Sequence, residues 1–225
     1  MINDILWLME ACLLGFSISA VFAGILHLRR SVFLVPYVLL VGLFLYGYVR
    51  WENLLLVGLT KQNWIWGVVV AALVGILLIR NVLSQPATPR SGGPKLLFEL
   101  FWFGLVYGAI DGLFLSVFPI LLTWHAFPEL GVSLLGKVSL GCLAMIASEL
   151  IAIAYHAGYP EFCSSKIRFP IIGNGIISLA YLVSLNPISA FMSHAAMHIA
   201  AVWHGSEGTI QLPTHYRNNL EKQVA

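Results

Sequence analysis

Seven apolar stretches alternate with short polar connections along nearly the whole of this 225-residue chain. They run roughly over residues 5–26, 32–49, 64–83, 96–124, 131–157, 169–186 and 188–204, and about 20 apolar residues suffice to cross the hydrocarbon core of a bilayer. A segment in lipid must satisfy its own backbone polar groups, and a helix does so internally. The pattern predicts an all-α, polytopic integral membrane protein with about seven transmembrane helices, its partner being the lipid bilayer of the cell membrane. Charged residues make up only 10% of the chain, against about 25% in soluble domains, which excludes a soluble globular fold. With a net charge of +2 and no basic patch, no nucleic-acid partner is expected.

The basic residues orient the spans. Arg29 and Arg30 fall in the first connection, Arg80, Arg90 and Lys95 in or beside the third, Lys166 and Arg168 at the fifth, and Arg217 and Lys222 in the tail. The alternate connections hold Arg50 and Lys61, with Lys137 near a helix end. Basic loops stay on the cytoplasmic side, so the N-terminus is expected outside and the C-terminus in the cytoplasm. Asp4 and Glu10 precede any basic residue, so the first stretch reads as a retained helix and not a secretory signal. A Pro/Gly/Ser-rich linker at 85–95 then separates an N-terminal three-helix scaffold, 1–84, from a four-helix core, 96–205, followed by a cytoplasmic tail, 206–225. Cys12, Cys142 and Cys163 have no metal-type spacing and read as small hydrophobes. The absence of an internal repeat argues against an inverted-repeat transporter.

The polar residues of chemical interest lie in the C-terminal half. His194 and His198, one helical turn apart, share one face of the last apolar segment. Ionisable groups at membrane depth are costly and mark sites. Asp111 lies near the middle of the fourth segment, beside a ladder of Gly104, Gly108 and Gly112 that predicts close helix packing. In the fifth segment Glu149 and His156, seven apart, share a face, with Glu149 the deeper. Asn174, flanked by Gly173 and Gly175, reads as an amide aimed inward, and His204 as rotated off the face of the His pair. Two imidazoles on one face, with His156 and Asp111 from other helices, would complete a zinc-type ligand set, with Glu149 as base for a bound water. No HExxH motif is present.

Three stretches carry a family resemblance: Ala109-Ile-Asp-Gly-Leu-Phe-Leu115, the end of the fifth segment at His156, and Asn186-Pro-Ile-Ser-Ala-Phe-Met-Ser-His194. Over the C-terminal half the chain resembles the CPBP family of intramembrane proteases and bacteriocin-immunity-type proteins. The resemblance implies that Asp111 stands for the family's acidic motif, His156 for its second motif and His194 for the His of its third. The family's paired glutamates and following Arg are missing, Ala152 stands where the family has Phe, and His198 stands where it has Asn. The His-for-Asn change favours a metal site over a glutamate-activated water. The constellation also looks a little like the alkaline ceramidase and progestin/adiponectin-receptor group of membrane zinc hydrolases, which place their first His earlier. The expected function is an integral membrane hydrolase, intramembrane protease-like, acting on a lipid, a lipidated peptide or a membrane protein. The alternatives are a non-enzymatic transporter, immunity or assembly protein, and a haem-binding electron carrier in which His156 or His27 pairs with a His of the last segment.

Overall fold

The computed structural model describes residues 2–205, so the tail at 206–225 lies outside the described residues. Among these there are helices and turns and no strand. The chain runs through α1 (Ile2–Ile25), α2 (Arg30–Trp51), a short α3 (Leu56–Lys61), α4 (Trp64–Leu83), α5 (Gly93–Ala126), α6 (Leu134–Ala157), α7 (Arg168–Ser184) and α8 (Ile188–His204). Among the described residues six helices are long and apolar enough to cross a membrane: α1, α2, α4, α5, α6 and Ser165–Ser184, which contains α7. At 17 residues, α8 is shorter.

These helices are apolar on all sides, as spans in lipid are. Leu43, Leu73 and Phe101 are more than half exposed on the outside, where a soluble bundle would carry charge. Inside, Phe33, Tyr37, Tyr48, Phe114, Phe118 and Tyr155 form an aromatic core between α2, α5 and α6. A smaller core joins Leu78, Ile120, Ile177, Tyr181 and Ala190 from α4, α5, α7 and α8.

The helix α5 departs from regular geometry in two π-helical stretches, Leu100–Val106 and Gly112–Val117. The second runs into Phe118-Pro119. Proline has no N–H, so the carbonyl of Leu115 loses its usual intrahelical donor. The Ser148 hydroxyl of α6 donates to that carbonyl at 2.6 Å.

The turn between α7 and α8 is built around one side chain. Leu185 adopts a positive φ of 54° and ends α7. The fully buried Asn186 then accepts from the Ile188 N–H at 2.9 Å, capping α8, and donates to the carbonyls of Thr60 (3.0 Å) and Gln62 (2.5 Å) at the end of α3. Gly67 of α4 leaves room for it: a Cβ there would lie 2.9 Å from Asn186 Cγ.

The placement of α8 follows from the glycine ladder. A Cβ on Gly104 would lie 2.9 Å from Ile199 Cγ1, one on Gly108 2.7 Å from Ala195 Cα, and one on Gly112 2.7 Å from Phe191 Cα. Glycine every fourth residue on α5 meets every fourth residue of α8 in reverse order, so the two run antiparallel with backbones in contact. The other sides of α8 meet α4 and α7.

Candidate metal centre

The antiparallel contact sets Asp111 of α5 against His194 and His198 of α8. All three are at least 95% buried. Each Nε2 lies 3.9 Å from Asp111 Oδ2, too far for a hydrogen bond. The two imidazoles stack 5.0 Å apart with their planes 19° from parallel, so both present Nε2 to the same carboxylate. One ligand atom from each residue lies within 4.8 Å of the others. Ligand atoms on a tetrahedral zinc, at about 2.0–2.1 Å from the ion, lie roughly 3.4 Å apart. A contraction of about half an ångström would bring each carboxylate–imidazole gap to that spacing, and two imidazoles with a carboxylate suit zinc in chemistry.

The surroundings of the carboxylate are aromatic and hydroxylic. Tyr37 of α2 donates to Asp111 Oδ1, leaving Oδ2 toward the histidines. Tyr107, one turn before Asp111, packs its ring edge-on to His198 at 4.7 Å. Its hydroxyl joins Tyr155 at 3.0 Å, and Tyr155 joins Tyr159 at 2.9 Å. A ligating carboxylate held by a hydrogen bond is a common support for metal sites. On the other side, His194 Nδ1 is buried with no hydrogen-bond partner among the described residues.

The other sequence-derived candidates occupy three different places. His156 Nδ1 donates to the Ala152 carbonyl at 2.7 Å, which leaves Nε2 as its lone-pair nitrogen. Its ring packs against Tyr155 and Phe162, outside the group of three. Glu149 and Asn174 meet in a separate polar network. Asn174 Nδ2 donates to Glu149 Oε1 (3.3 Å) and to Ser148 Oγ (2.9 Å), and Ser116 donates to Asn174 Oδ1 (3.1 Å). Ser178 closes the network with Ser116 and Ser148. His204 donates from Nε2 to the Gln85 carbonyl at 2.7 Å, and Arg90 stacks over Trp203 at 4.1 Å, so the polar linker crosses the end of α8.

Sequence reasoning missed two groups. Tyr37 and Arg30, in the segment read as scaffold, reach the surroundings of Asp111. Both lie on one apolar helix that also carries Tyr46, Tyr48 and Arg50, and nothing local marks which of these meets a partner. The second is a cluster at other helix ends, where His125 of α5 lies 3.3 Å from Asp4 Oδ1 and 2.8 Å from Glu52 Oε2. His125 is half exposed, and the contacts tie α1, α2 and α5 together.

No family model matches the chain, and no curated protein or solved structure matches it. The site therefore stands on its own geometry.

Proposed function

We propose that this protein is a multi-pass membrane hydrolase in which Asp111, His194 and His198 hold a divalent metal, zinc by the character of the donors. In this reading the chain makes seven crossings of the cell membrane, with α8 the last, the N-terminus outside and the C-terminus cytoplasmic. The observation that carries the proposal is the convergence of three buried ligand atoms from two helices at a glycine-lined contact. Asp111 sits 18 residues from the start of α5 and 15 from its end (111 − 93 and 126 − 111), deep in the span. A buried carboxylate at that depth requires a partner.

A divalent ion held by these residues would supply Lewis-acid activation of water. The chain's own groups do the rest. Tyr37 orients the carboxylate, and the aromatic wall of Tyr107 and Tyr155 excludes bulk water. His156, with Nδ1 committed to the backbone, offers Nε2 to take up or deliver a proton. Glu149 is given no step, because it lies outside the group of three, in the separate network with Asn174. The CPBP resemblance supports the reading at Asp111, His156 and His194. The alignment of both histidines on one carboxylate, instead of across a gap to a facing helix, favours a metal ion over haem.

Metal analysis tests this directly. Detergent-purified protein made without chelator is expected to carry about one zinc per chain, and His194→Ala/His198→Ala none. Folded wild type without a divalent ion would overturn the metal reading. A loaded protein that turns over no membrane ester or peptide would instead favour a transporter, immunity or assembly role.

A further inference from the structure

Arg30, the first residue of α2, is only 8% exposed. Its guanidinium carbon lies 5.2 Å from the ring centres of both Phe103 and Tyr107 on α5. Neither Nη1 nor Nη2 has a hydrogen-bond partner among the described residues. Its electrostatic neighbours are the hydroxyls of Tyr107, Tyr155 and Tyr159 and the carboxylate of Asp111. Asp111 already accepts from Tyr37 and is turned to the histidines. A buried cation without a paired anion is costly. The guanidinium fork is shaped to take two oxygens of one phosphate.

Arg30 is tied to the metal group by short steps. Tyr107 touches both, through the Arg30 guanidinium on one side and the His198 ring on the other. Along α2, Arg30 precedes Tyr37 by seven residues, about 10 Å of helix. The cation therefore sits roughly two turns from the carboxylate, at the N-terminal end of an apolar span, the level at which a bilayer would carry its headgroups. The surface beside it is open to acyl chains: Leu97, Phe98 and Phe101 of α5 and Val32 of α2 are each more than half exposed.

We propose that Arg30 binds the phosphate of a phospholipid, and that the substrate class of the site is a phosphate-bearing lipid whose linkages below the headgroup reach Asp111, His194 and His198. The substrate assignment rests on the hydrolase reading above; the binding of the headgroup does not.

The test uses the full chain in an uncharged maltoside detergent. Dioctanoyl phosphatidic acid, dioctanoylglycerol and inorganic phosphate are titrated, with binding read by native mass spectrometry and zinc content measured in the same samples. Phosphatidic acid is expected to bind wild type about tenfold or more tighter than dioctanoylglycerol, a preference lost in Arg30→Gln. Arg30→Lys, which keeps a cation but not the fork, retains part of it and covers the case in which Arg30→Gln fails to fold. Zinc content stays at the wild-type level in the Arg30 variants. His194→Ala/His198→Ala keeps the lipid preference, so headgroup binding survives even if the metal reading fails. Equal binding of the two lipids, or an unchanged preference in both Arg30 variants, would overturn the proposal. Arg30-dependent binding of inorganic phosphate as tight as that of phosphatidic acid would overturn the lipid as source.

Discussion

Replacing Gly108 by Ala probes the contact that assembles the site without touching a ligand. The added Cβ would lie 2.7 Å from Ala195 Cα and 3.1 Å from both Ala195 N and His194 O. These are backbone atoms and cannot rotate away. Restoring ordinary contact at 3.4–4 Å requires α5 and α8 to separate by roughly 1 Å, and His194 to move with its backbone. The 3.9 Å gaps from Asp111 to the two histidines then widen by a similar amount, where metal ligation tolerates about 0.2 Å. Overpacking of this kind costs about 1–3 kcal/mol in stability. Zinc affinity, measured by competition with a chromophoric chelator, is expected to fall at least about tenfold, as it does when the supports of a metal site are disturbed. Gly42→Ala and Gly141→Ala are the controls, since nothing lies within 4 Å of a Cβ at either position. If Gly108→Ala binds zinc and unfolds like these controls, the close backbone contact does not position the site.

Two further substitutions separate the site from its neighbours. Tyr37→Phe leaves Asp111 Oδ1 without its Tyr37 donor, and is expected to cost about 1–3 kcal/mol in a thermal or denaturant melt and to weaken zinc binding about 10–100-fold. Ser148→Ala removes the donor to the Leu115 carbonyl and a link in the Asn174 network; a loss of about 1–3 kcal/mol with zinc content unchanged is expected, and loss of zinc would show that the two polar groups are coupled.

The membrane class was written in the chain because lipid demands long apolar runs and helices that satisfy their own backbones. The His194/His198 pair was legible for the same local reason: a spacing of four puts two residues on one face of any helix. The depth of Asp111 and the close-packing role of Gly104, Gly108 and Gly112 could also be read, since each depends on position within one segment. Which helix would fill that ladder could not. The answer depends on the matching of Phe191, Ala195 and Ile199 to the three glycines, a surface fit between segments about 80 to 95 residues apart in sequence.

Tertiary packing also divided residues that share a local signature. His156 and Glu149 lie on the same helix face by spacing, yet His156 turns to its own backbone and the tyrosines while Glu149 joins Asn174. Tyr37 and Arg30 gain their meaning only where α2 meets α5, because a hydrogen bond or an unpaired guanidinium is a relation between helices that no single apolar segment records. Sequence alone determined the all-helical membrane class and the facing of residues within each apolar segment, since periodicity and hydropathy act along one chain segment. The choice of neighbours, and with it the exclusion of His156 and Glu149 from the group that Asp111 forms with His194 and His198, came from side-chain shape matched across helices.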